Sequence, residues 1–103
     1  MLKKISGVIL GVLCLTSTVV AGDMEKGREA AKRCIMCHGV NGESRIRTYP
    51  SLKGMDEQKF IAAIYAYRNG EKEGNLAGMM RSQALGLSEE EIKNMAAYFS
   101  SLK

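Results

Sequence analysis

Histidine is nearly missing from this chain: of 103 residues only His38 carries an imidazole. Cysteine is almost as scarce, with Cys34 and Cys37 joined only by Cys14, and there is no tryptophan and a single proline. These absences exclude a good deal. A structural zinc site takes four ligands, usually Cys and His. Two thiolates and one imidazole, with Cys37 and His38 immediate neighbours, leave that set incomplete even with a borrowed carboxylate. A thioredoxin-like redox site needs a βαβ setting, and no stretch reads convincingly as a strand. A one-sided charge is lacking too. The chain has 15 Lys+Arg against 11 Asp+Glu, and two of those lysines, Lys3 and Lys4, lie in an N-terminal run that reads as a leader. Without them the balance is 13 to 11, a net of +2, so the basic pI of the whole chain does not point to nucleic acid. The length allows one domain at most.

That run has the parts of a secretory signal. Met1-Leu2-Lys3-Lys4 is a short basic start, residues 5–20 are apolar, and Val19-Val20-Ala21 offers a small-residue cleavage site. Residues 1–21 are therefore expected to be a signal peptide and 22–103 the working domain. Retention as an anchor is the alternative. Cys14 lacks the preceding small residues of a lipid-attachment site. A domain of about 82 residues is near the size at which a core alone is marginal, and neither a spare disulfide nor a zinc site is left to staple it.

Cys34-Ile35-Met36-Cys37-His38 supplies another kind of staple. C-x-x-C-H is the attachment pattern of a c-type haem: each thiol adds across one porphyrin vinyl group, and the adjacent imidazole becomes an axial iron ligand. One haem c, covalently bound, is the cofactor expected. The alternative is a Cys34–Cys37 disulfide with His38 an ordinary surface residue. Attachment needs reduced thiols in an oxidising compartment, and with the leader this places the domain in a bacterial periplasm.

Three helices are expected, joined by loops. Asp23 can cap the first, from about Met24 into the haem motif, with Gly27 and Ala31 small enough to let another helix approach. Residues 39–55 are punctuated by Gly39, Asn41-Gly42, Ser44, Pro50 and Gly54. Asp56 opens a second helix to Arg68, with Phe60, Ile61, Ile64, Tyr65 and Tyr67 as its apolar face, ended by Asn69-Gly70. Glu71 to Leu87, with Gly74, Gly78 and Gly86, reads as a second loop. Ser88-Glu89-Glu90-Glu91 is a capping box in which Leu87 can staple onto Ile92. The stripe Ile92, Met95, Ala96, Phe99 and Leu102 then marks the last helix.

The second axial ligand cannot be a histidine, which leaves methionine, lysine, tyrosine or an open site. Among the methionines, Met36 sits between the cysteines, Met24 and Met95 fit helix packing, and Met55 lies too near the proximal loop. Met79 and Met80, in the expected second loop, are the methionine candidates, with core packing as their alternative role. A thioether ligand favours Fe(II) and raises the reduction potential. Composition does not choose between the two.

In order along the chain stand Cys34-x-x-Cys37-His38-Gly39, Asn41-Gly42, Tyr49-Pro50-Ser51-Leu52-x-Gly54, Tyr67-Arg68-x-Gly70, Met80, and Leu87-Ser88-x-x-x-Ile92-x-x-x-Ala96-x-Tyr98-Phe99. This set resembles the short monohaem class I cytochromes c of bacterial periplasms, over essentially all of 22–103. The resemblance implies the all-α small cytochrome c fold around one covalently bound haem, with His38 and Met80 as iron ligands, since Met80 matches the family's spacing to the Leu-Ser pair and Met79 misses it by one. It also implies that the Pro50 carbonyl accepts a hydrogen bond from His38 and that Leu52 packs on the ring. Ala31 departs from the pattern, standing where an aromatic residue is common. The function implied is electron carriage without catalysis, by a monomer that docks transiently to membrane-bound or periplasmic redox proteins and uses neither nucleic acid nor a small-molecule substrate. A relay subunit of a larger oxidoreductase, or an open-site gas-sensing or peroxidatic haem, are the alternatives. Arg45, Arg47, Tyr49, Ala77 and Gly78 are candidate rim or propionate neighbours. Arg45, Arg47, Lys53 and Lys59 are a candidate docking patch.

Overall fold

Asp23 starts the fold. Its carboxylate accepts the amide hydrogens of Glu25 and Lys26 at 2.9 and 3.1 Å, two of the donors that a helix start leaves without partners. Helix α1 (Met24–Ala31) follows. The structure, a computed structural model, describes residues 22–46 and 49–103; the expected leader with Cys14, and Arg47, lie outside the described residues. After α1 the chain tightens into a 3₁₀ turn (Lys32–Cys34) and re-forms as the single-turn helix α2 (Ile35–His38). Then come α3 (Glu57–Arg68), α4 (Ala77–Leu85) and α5 (Glu89–Ser101). No strand occurs among the described residues, and no helix among them is long and apolar enough to cross a membrane.

The capping box at α5 is present in both directions. Glu91 N donates to Ser88 Oγ at 3.0 Å and Ser88 N to Glu91 Oε1 at 2.9 Å. Its stripe faces inward as expected: Ile92, Met95, Ala96 and Phe99 are all buried, with Leu102 packed at the edge. Helix α3 is capped by Asp56, which accepts from Lys59 N at 3.1 Å. It sends Phe60 and Ile64 into the same core, where the Phe60 and Phe99 ring centroids lie 5.6 Å apart.

Helices α1 and α5 cross backbone to backbone. Gly27 and Ala31 are buried there, and a Cβ on Gly27 would overlap the Asn94 carbonyl and crowd Tyr98. Asp23 N also donates to Asn94 Oδ1 at 2.7 Å, fixing the start of α1 on α5. Because the obstacle is backbone rather than a flexible side chain, Gly27→Ala is expected to destabilise the domain by about 1–3 kcal/mol, the usual range for overpacking. Urea unfolding measures this, and an unchanged midpoint would mean the helices are not so close.

The second loop is where the structure departs from expectation. Part of it is α4, so among the described residues four helices of two turns or more are present where three were expected, and Met79 and Met80 lie on a helix. The glycines mark its surroundings: Gly74 precedes it, Gly78 lies in its first turn and Gly86 caps its end. Between them Met79, Met80, Arg81, Gln83, Ala84 and Leu85 are good helix formers. The segment has no apolar stripe to announce it, because Ala84 is its only buried residue.

Candidate haem site

Three short segments build the site. Cys34 ends the 3₁₀ turn, and Cys37 and His38 lie on α2. Both cysteines are free thiols, half-buried, so the disulfide alternative is not what this fold contains. No three His, Cys, Asp or Glu side chains gather as a metal site among the described residues, so the zinc alternative has no ligand set. Burial pushes the Cys34 thiol up from its ordinary value, against the lowering effect of Arg33 and with a smaller push from Cys37. A thioether sulfur has no charged form to lose, so burial that disfavours a thiolate is compatible with a sulfur that ends as a thioether.

His38 is 8% exposed. Its Nδ1 lies 2.7 Å from the Pro50 carbonyl oxygen. A carbonyl only accepts, so the proton belongs on Nδ1 and Nε2 keeps its lone pair. Among the described residues Nε2 makes no hydrogen bond. This is the arrangement that orients an imidazole and raises its basicity as a ligand. Tyr49 meets the same ring edge-on, with centroids 6.2 Å apart.

Pro50 is placed by the loop around it. Gly42 offers its carbonyl to Leu52 N at 2.6 Å and Lys53 N at 3.0 Å. Its φ of +76° and its contact with the Phe99 ring admit no side chain. Ser44 N donates to Ser51 Oγ at 2.9 Å, and Gly54 N donates to Phe99 O at 2.8 Å, pinning the loop to α5. Lys53, from the candidate docking patch, pairs with Glu43 at 3.6 Å.

Leu52 is buried in the core cluster, and Cys34 and Met80 both pack against that cluster from its margin. Met79, by contrast, is 55% exposed. A groove of about 650 Å³ runs beside the motif, with Ile35, Met36, Val40 and Ile46 on its apolar parts and Asn41, Glu43, Ser44 and Arg45 on its polar parts. The residues present therefore fit a haem: two unpaired thiols, an imidazole nitrogen with a free lone pair, and the apolar cluster around Leu52 with the Met80 thioether at its margin. What sequence reasoning did not find is a pair of hydrogen bonds made by Arg68 and Arg81. Arg68 stands in the Tyr67-Arg68-x-Gly70 motif, but nothing in its sequence setting identifies its acceptor.

Comparison with known proteins agrees with this chemistry. The cytochrome c family matches residues 24–103. Cytochrome c-554(548) of Halomonas halodenitrificans is 40% identical over 81 residues, covering 79% of this chain and 98% of the relative. Cytochrome c-553 of Helicobacter pylori is 33% identical over 103 residues, covering 99% and 100%. The crystal structure of reduced recombinant cytochrome c4 from Pseudomonas stutzeri superposes with a TM-score of 0.64 at 31% identity, over 81% of this chain and 47% of that one. This chain thus spans about half the length of that cytochrome c4. With the attachment motif and a ligand-ready imidazole inside the matched region, the chain belongs to the cytochrome c family, as a small monohaem class I member that carries haem c covalently and serves as a haem electron carrier.

Proposed function

We propose that this cytochrome is a periplasmic electron carrier, not an enzyme, in which His38 and Met80 hold the iron from opposite sides. The observation that carries the reading is the His38–Pro50 hydrogen bond, which fixes the proton on Nδ1 and leaves Nε2 as a donor atom. Bound haem c supplies a one-electron iron couple. The chain's own residues do the rest. Cys34 and Cys37 tether the group, and the loop 39–54, tied to α5, keeps the imidazole in one orientation. Leu52 and the core exclude water, and Met80 offers a neutral sulfur that stabilises the reduced state. Were His38 and Met80 both to bind the iron, the bound group would carry electrons without a free position for a substrate.

The leader-like residues 1–21 and the need for export before attachment support the periplasm. Redox partners there would meet the domain through small, transient interfaces. The groove beside the motif, with Ile35, Met36, Val40 and Ile46 exposed around it, suits such contacts. The relay-subunit reading differs only in having a permanent partner, which co-purification would reveal.

Carbon monoxide tests the closed site. The reduced protein is expected to show a sharp visible spectrum that carbon monoxide leaves unchanged over minutes in the absence of denaturant. Rapid binding would instead place the chain among open-site haem proteins and end the carrier reading.

A further inference from the structure

Helix α4 has little of its own to hold it in place. At nine residues it is shorter than the roughly 12–15 at which an isolated helix becomes even marginal in water. Leu76 at its start provides no side-chain cap, Gly78 weakens its first turn, and Ala84 is its only buried residue. Two arginines supply what packing does not. Arg81, the residue after Met80, donates from Nε to the Arg68 carbonyl at 3.2 Å. That carbonyl is among the last of α3, which have no partner within the helix. Arg68 in turn donates from Nη1 to the Leu87 carbonyl at 3.0 Å, just past the Gly86 end of α4. The Arg68 guanidinium also lies 5.5 Å from the Tyr65 ring centroid, which holds it against α3. The two bonds run in opposite directions between the end of α3 and the segment 81–87, and they brace the helix that carries Met80.

We propose that Arg68 and Arg81 are positioning residues for the Met80 thioether: their reciprocal bonds keep α4 docked on α3 and so keep the sulfur at the core margin. The inference rests on Met80 being the ligand. An added ligand that competes for the iron reads out the docking directly, because its apparent affinity scales with the fraction of molecules in which the thioether has let go.

The test is imidazole binding to the ferric, full-length exported protein, followed by the loss of its sulfur-to-iron band, with urea unfolding alongside. A charge-assisted hydrogen bond is worth about tenfold in such an equilibrium. Arg68→Ala is therefore expected to bind imidazole about tenfold more tightly than the parent. Arg81→Ala, whose bond is longer and exposed, is expected to gain about threefold. Arg68→Lys, which keeps a donor for the Leu87 carbonyl, should fall between parent and Arg68→Ala. Arg28→Ala, on the exposed side of α1, should bind as the parent does.

If the urea midpoints of the arginine variants fall while their imidazole affinities stay at the parent value, their role is structural only and the proposal is overturned. An equal gain in Arg28→Ala would overturn it as well. Arg81→Ala keeps the test open if Arg68→Ala does not fold, since Arg81 is a surface residue. Met80→Ala separates the two layers. If it leaves both the band and the affinity unchanged, Met80 is not the ligand and the inference falls with that reading. If it removes the band and raises the affinity while the arginine variants match the parent, the brace alone is wrong.

Discussion

Met80→Ala is expected to lower the reduction potential by on the order of 100 mV or more, a modest share of the roughly 0.8 V that axial ligands span among haem proteins. It should also abolish the weak near-infrared band of Fe(III)–sulfur ligation. Met79→Ala is expected to leave both in place. The physical basis is that a thioether is neutral and soft and favours Fe(II) over Fe(III); without it the oxidised state loses its handicap. The choice between the neighbours is geometric. Met80 N donates to Leu76 O at 3.0 Å, so the pair sits in regular helix, and successive side chains on a helix point about 100° apart. They cannot both face the core. Met80 packs against the cluster that also touches Cys34, whereas Met79 is 55% exposed. Voltammetry and the near-infrared spectrum of the ferric variants measure the outcome. If Met79→Ala alone removes the band, α4 must turn by one residue from the orientation described, and Met80 is a packing residue.

The helix placement of this pair also marks the limit of what the sequence disclosed. The starts of α1, α3 and α5 were legible because the signals are local: Asp23, Asp56 and Ser88 each bond amides two or three residues away. The first helix, expected to run into the haem motif, instead stops at Ala31 and gives way to the 3₁₀ turn. The small residue at Gly27 was legible too, since a close helix crossing needs one. Helix α4 was not. Its formation depends on docking against α3, and the glycines around it carry the same signal as a loop. The Arg68 and Arg81 bonds were hidden for a similar reason: their acceptors are backbone carbonyls, which leave no trace in residue identity. Within the site, the thiols and the imidazole were plain from their spacing. The Nδ1–H tautomer of His38 was only implied by resemblance, because its acceptor is a carbonyl 12 residues along the chain.

A chain carrying both Cys34→Ser and Cys37→Ser is expected to emerge from a competent exporting host without the added mass of a haem, and any pigment should pass into acidified organic solvent when the protein is denatured. The fold should suffer as well. Among the described residues the buried apolar set holds seven side chains larger than alanine: Leu52, Phe60, Ile64, Leu87, Ile92, Met95 and Phe99. That is a thin core for the matched region 24–103, a size at which burial alone is marginal. A tethered haem stays at high effective concentration beside Cys34 and Met80, whereas an untethered one is lost by simple dissociation. Losing the contacts of even one well-packed large side chain costs about 2–5 kcal/mol. In a domain this small each kcal/mol moves the thermal midpoint by about 4–8 °C. A fall of more than roughly 10 °C relative to the parent is therefore expected. Each single serine variant retains one link and should fall between. The opposite result, a double variant that holds its pigment through denaturation or melts with the parent, would mean that the two sulfurs are not what fastens the cofactor and that the core stands without it.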